Sequence, residues 1–116
     1  MNEPEAWRTP ATDSLFDAIL SLEDRNEAER FFRDLCTLRE LRDLAQRWEI
    51  ARLLDEGLHY TEISGRTGAS TATITRIAQW LHHGTGGYRL ALARGPTRMD
   101  RPEQKTVPEP NTEDAS

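Results

Sequence analysis

The stretch Tyr60 to Ile77, Tyr-Thr-Glu-Ile-Ser-Gly-Arg-Thr-Gly-Ala-Ser-Thr-Ala-Thr-Ile-Thr-Arg-Ile, restricts the fold more than any other part of the chain. Its pattern is that of a helix-turn-helix. Two helices crossing steeply through a tight turn need an apolar residue buried on the first, where Ile63 stands, and a small one at the crossing, where Ser64 stands. The turn needs a residue tolerant of positive φ, and Gly68 supplies it within Thr67-Gly68-Ala69. Ile74 and Ile77, three apart, are expected to be buried against the first helix. The rest of the second helix is short and polar, or basic: Ser70, Thr71, Thr73, Thr75, Arg76 and Gln79. Such a surface suits the DNA major groove, where hydroxyls reach base edges and phosphates and methyl groups touch thymine. The alternative is a helical hairpin that only packs.

A net charge of -5 argues against a polyanionic partner until its distribution is considered. Residues 57 to 94 hold Arg66, Arg76, Arg89 and Arg94 against Glu62 alone, whereas the flanking segments are net acidic. His59, His82 and His83 add positive charge when protonated. Binding to double-stranded DNA is therefore expected to be moderate and strongly salt-dependent, and a dimer doubles the contact. At 116 residues the chain supports one domain with a modest core. The single cysteine, Cys36, excludes an internal disulfide framework and reads as a small apolar filler. No run approaches the ~20 apolar residues of a membrane span, and the acidic, polar N-terminus is unlike a signal peptide. No membrane partner is expected, and the expected location is the cytoplasm.

Taken in order, residues 1–11 read as a poorly ordered arm, with Trp7 either partly exposed on it or docked on a partner subunit. From Asp13 the spacing of Leu15, Phe16, Ile19, Leu20 and Leu22 predicts a helix, with Asp13 or Ser14 as its cap. Asn26 is the expected cap of a second helix, Glu27 to Leu35, with Ala28, Phe31, Phe32 and Leu35 on one side. Thr37-Leu38-Arg39-Glu40 is a capping box that opens a longer helix, which keeps its apolar spacing through Leu41, Leu44, Ala45, Trp48, Ala51 and Leu53 or Leu54. Gly57 is placed to end it in a left-handed conformation. Arg39 with Asp43 and Arg52 with Glu56 are spaced for exposed ion pairs. Within the helix-turn-helix, Ser70 caps the second helix, which runs to His82 or His83 with Gly84 as its stop. Thr85-Gly86-Gly87 forms a joint, Tyr88 to Ala93 a short final helix, and residues 95–116 a disordered tail. The expectation is six helices and no strand, an all-α domain over residues 12–94. Its N-terminal and central helices present more apolar face than one small chain buries, which favours an intertwined homodimer with two recognition helices one DNA turn apart.

Three strings carry a family resemblance: Leu35-Cys36-Thr37-Leu38-Arg39-Glu40-Leu41, Gln46-Arg47-Trp48-Glu49-Ile50, and Gly68-Ala69-Ser70-Thr71-Ala72-Thr73-Ile74-Thr75-Arg76. They resemble the Trp-repressor superfamily, in particular its YerC/YecD-type branch, over about Ser14 to Leu92. The resemblance implies a homodimeric helix-turn-helix repressor of a palindromic operator, with Thr71, Ala72, Thr73 and Thr75 near bases. It also implies an effector pocket for tryptophan as corepressor, held by a threonine and two arginines, which match Thr37, Arg47 and Arg76. Two neighbours depart from that pattern, since Ile77 and Trp80 stand where the pocket uses glycine and serine. The chain's own indole and a branched side chain are then expected to fill the space, leaving another small-molecule effector, or none, and no resident cofactor.

A helix-turn-helix that serves protein assembly without sequence-specific DNA binding is the alternative from a different class. The net negative charge favours it and the basic segment does not. A transposase would need catalytic carboxylates on a separate fold, for which the chain has no room. Enzymatic activity is not expected. His82 and His83 point to different faces of a helix and read as a solvated helix end, not a metal site.

Overall fold

The computed structural model describes residues 6–95. Residues 1–5 of the expected arm, and the expected tail from Pro96 onward, lie outside the described residues. Six helices and no strand are found among those described: α1 (Pro10–Leu20), α2 (Arg25–Leu35), α3 (Leu38–Asp55), α4 (Tyr60–Thr67), α5 (Thr71–His83) and α6 (Gly87–Arg94). The chain divides within α3 into two units, one ending at Asp43 and the other starting at Leu44.

In the first unit both helices begin ahead of their expected caps. Thr9, not Asp13 or Ser14, caps α1: its hydroxyl accepts from the Thr12 amide at 3.1 Å, and the Thr12 hydroxyl accepts from the Thr9 amide at 2.9 Å. Pro10 then takes the first helical position, where its missing N–H costs nothing and its fixed φ already fits. Asp24, not Asn26, caps α2, accepting from the Glu27 amide at 2.9 Å. The carboxylate of Glu27 returns to the Glu23 amide, so the first turn is tied from both sides. Trp7 packs edge-on against Phe16 of its own α1, with ring centroids 6.2 Å apart, and stays half exposed. Phe31 and Phe32 meet edge-on at 5.6 Å. Yet neither α1 nor α2 buries a single residue.

The start of α3 follows expectation. The Thr37 hydroxyl accepts from the Glu40 amide at 3.0 Å, and the Glu40 carboxylate accepts from the Thr37 amide at 2.9 Å. Its end does too: Gly57 has φ +90°, and the Leu58 and Gly57 amides return to the carbonyls of Leu53 and Leu54. That double closure is a Schellman motif. Arg52 pairs with Glu56 at 3.4 Å, as expected, and more closely with Glu49 at 2.7 Å. No ion pair joins Arg39 to Asp43.

The core lies in the second unit. Ile50, Ala51 and Leu53 from α3 meet Ile63 of α4, Ala69 of the turn, and Ile74 and Ile77 of α5. Four isoleucines, 50, 63, 74 and 77, are completely enclosed, and each contributes about 1.5–3 kcal/mol by leaving water. Trp48, Leu54, Leu58 and Tyr88 close the cluster from outside.

Candidate nucleic-acid interface

The turn between α4 and α5 is fixed by four hydrogen bonds besides its glycine. Gly68 has φ +79°, and its amide reaches the Ser64 carbonyl at 2.8 Å. The Ser64 hydroxyl donates to the Ala69 carbonyl at 2.7 Å, which explains a small polar residue at the crossing. The Thr67 hydroxyl donates to the Ile63 carbonyl at 2.8 Å and accepts from the Ala69 amide at 3.2 Å. From α3, the Gln46 amide donates to the Thr67 carbonyl at 3.0 Å, tying the turn to the central helix across 21 residues of sequence. A backbone held at so many points presents the next helix at a defined angle.

Helix α5 starts with Ser70, whose hydroxyl accepts from the Thr73 amide at 3.2 Å. Ile74, Ile77, Ala78 and Leu81 are buried, at the three- and four-residue spacing of a helix held along one stripe. Of the residues read from the sequence as DNA contacts, Ser70, Thr71, Ala72, Thr75, Arg76 and Gln79 are exposed. Thr73 is half-buried, and its hydroxyl is engaged by Ser70 at 3.1 Å. The positive charge near this surface is narrower than composition implies, since Arg66 is held by Glu62 at 3.0 Å. Arg76 makes no ion pair among the described residues.

Also in the second unit, Arg47, Trp80, Gly84, Thr85, Gly87 and Tyr88 line an open cleft of about 530 Å³. Trp48 stacks on Tyr88, centroids 6.5 Å apart and planes 19° from parallel, and so anchors the start of α6 on α3. Partial burial pushes the Tyr88 phenol above its ordinary value, opposed by the positive charge of Arg47. Of the effector residues implied by resemblance, Arg47 lines the cleft, Arg76 is exposed on α5 one turn before Trp80, and the Thr37 hydroxyl serves the α3 cap. Ile77 is 1% exposed and belongs to the isoleucine core, while Trp80, 46% exposed, forms a wall of the open cleft. Sequence reading named Arg47 and Trp80 for an effector space but missed Gly84, Thr85, Gly87 and Tyr88 as their neighbours.

Residues 11–95 match the Trp repressor protein family, and they include the turn, the capped α5 and the whole isoleucine core just described. The chain belongs to the Trp repressor protein family. It is 54% identical over 82 residues to the uncharacterized protein YerC of Bacillus subtilis (strain 168), covering 71% of this chain and 79% of that one. Among solved structures, a TrpR-like protein from Eubacterium eligens is 45% identical with a TM-score of 0.73, covering 80% of this chain and 94% of that one. A candidate Trp repressor from Staphylococcus aureus is 44% identical with a TM-score of 0.75, covering 81% and 94%. These likenesses make this a YerC-type member of the Trp repressor family, a family of helical DNA-binding regulators, not enzymes. No helix among the described residues is long and apolar enough to cross a membrane.

Proposed function

We propose that the chain is a sequence-specific transcriptional repressor that binds a palindromic operator as a homodimer in the cytoplasm. The observation that carries this reading is the outward face of α5: Thr71, Ala72, Thr75, Arg76 and Gln79 are exposed, while Ile74, Ile77, Ala78 and Leu81 hold the helix from behind. Hydroxyls and methyls at those positions suit base edges and the thymine methyl, and the Arg76 guanidinium suits a phosphate. The capped start of α5 adds its free amides to the same surface. Dimerisation is supported by the first unit, whose helices bury no residue while Leu20 is 81% exposed and Leu35 and Leu38 about half exposed. A small-molecule effector belongs to the same proposal, and the Arg47, Trp80 and Tyr88 cleft is the space that favours it; its Trp80 wall makes tryptophan a less fitting ligand than in the implied pocket.

Selection of bound duplexes from a random pool tests the central point. Enrichment of a two-fold symmetric motif is expected, and recovery of no motif overturns sequence-specific binding. Arg76→Ala should weaken binding to all sequences alike and lower the salt dependence. Thr75→Ala should relax preference at one base position by about 1 kcal/mol. The assembly-module reading predicts binding to duplex with no dependence on salt, or no binding at all.

A further inference from the structure

The DNA-facing stripe of α5 does not stop at Gln79. Successive helical residues are separated by about 100°, which puts Thr71, Thr75, Gln79, His82 and His83 within one sector of the helix, about a third of its circumference. All five are exposed. Thr75, Gln79, His82 and His83 also border one shallow recess of about 160 Å³, closed from α4 by Tyr60. Helix α6 reaches the same place, where an Nη of Arg89 lies 2.9 Å from His82 Nδ1.

Length decides what this extension meets. Helix α5 has 13 residues and is therefore about 20 Å long, against a major-groove width of about 12 Å. If its N-terminal turns enter the groove, its C-terminal turn emerges at the groove wall, where the phosphates run. The groups waiting there are a phenol, two imidazoles and a guanidinium. Each is a donor to phosphate oxygen, the imidazoles most strongly when protonated. We propose that Tyr60, His82, His83 and Arg89 form a phosphodiester-binding station at the C-terminal end of α5, one whose hold on duplex DNA tightens as the histidines take up protons.

Charge around the station is consistent with this. His83 flanks His82 on α5, Tyr60 faces the recess from α4, and Arg89 meets His82 from α6. The carboxylate carried by α4, Glu62, is engaged by Arg66 at 3.0 Å. With His82 neutral, Nδ1 can accept from Arg89. A protonated His82 would donate at both nitrogens, and a phosphate between the two cations would accept from each. Histidine is the side chain whose charge changes in the physiological range, so the number of phosphates neutralised per chain becomes a function of pH.

This inference rests on the regulator reading, and one experiment separates the two. Affinity of the full chain for a 30-base-pair duplex of random sequence would be measured by fluorescence anisotropy between 50 and 200 mM salt, at pH 6 and pH 8. Wild type should bind roughly ten-fold tighter at pH 6, with a steeper salt slope by about one to two phosphates per chain. The His82→Gln, His83→Gln double variant should lose most of the gain that wild type shows at pH 6 over pH 8. His82→Lys, His83→Lys should bind at least as tightly as the pH 6 wild type at both pH values. A wild type that binds duplex with no pH dependence, or a Gln variant that keeps the full dependence, overturns the phosphate station alone. A wild type that binds duplex at neither pH overturns the regulator reading and the station with it.

Discussion

Single residues in this chain are constrained by backbone geometry as much as by packing. Gly57 and Gly84 both follow a helix, yet for different reasons. Gly57 has φ +90° and open space around the position of a Cβ, so an alanine there would meet only the strain of the left-handed region. At Gly84, where φ is negative, a Cβ would run into the Trp80 carbonyl oxygen, the acceptor of the bond that closes α5. Gly57→Ala should therefore cost about 1–2 kcal/mol and Gly84→Ala more, about 2–4 kcal/mol, because backbone at a helix end cannot step aside as a side chain can. Urea unfolding of the two variants checks the order. Equal midpoints would show that the end of α5 relaxes freely. Gly57 and Gly68 were legible in the sequence, the first as the stop of an apolar helical run and the second as the turn residue between two helices. The reason for Gly84 was not, because a contact with a carbonyl four residues back depends on the path the chain takes toward α6.

At the scale of elements, sequence rules located every helix but misplaced some of their starts. The Thr37 and Glu40 box was readable because it uses the expected residue types, and the structure closes it at 3.0 and 2.9 Å. The Thr9 and Thr12 pair makes the same reciprocal bonds with threonine as the returning residue. A pattern that looks for glutamate or glutamine at that place passes over it. Asp24 was passed over for Asn26 for a related reason, namely that several residues near a helix start are competent caps and only chain direction selects one. The place of Tyr88 beside Arg47 and Trp80 in the cleft was illegible for a stronger reason. It requires Trp48 to stack on a tyrosine 40 residues away, and no local pattern carries such a pairing. The α3 box also permits a test of what Thr37 does. If its hydroxyl serves the cap, Thr37→Ala should cost about 1 kcal/mol in thermal or urea unfolding while Thr37→Ser costs a few tenths. If Thr37 instead matters only to an effector, neither variant should move the stability of the unliganded protein.

For the molecule as a whole, the distribution of burial is the quantity that asks for a second chain. The unit that starts at Leu44 encloses four isoleucines completely, whereas the helices α1 and α2 enclose nothing despite carrying Leu15, Phe16, Ile19, Leu20, Phe31, Phe32 and Leu35. Helices of 11 residues are marginal in water by propensity alone, so their stability has to come from packing of those apolar faces. The proposed homodimer would supply it, and one substitution distinguishes dimer from monomer. Leu20 is 81% exposed within a single chain, so Leu20→Lys should leave a monomer's stability within about 0.5 kcal/mol. Across a dimer interface the same change removes a buried leucine from each chain and introduces a charge, weakening association by about 2 kcal/mol or more, at least ten-fold in the dissociation constant. Sedimentation equilibrium of wild type should show a dimer at micromolar concentration, with a melting temperature that rises with protein concentration, and Leu20→Lys should shift both toward monomer. Operator binding by the variant should then need higher protein concentration and become steeper with it, because assembly on the two half-sites would replace docking of a preformed dimer. A wild type that sediments as a monomer and melts independently of concentration would overturn the homodimer proposed to cover the exposed apolar faces of α1 and α2.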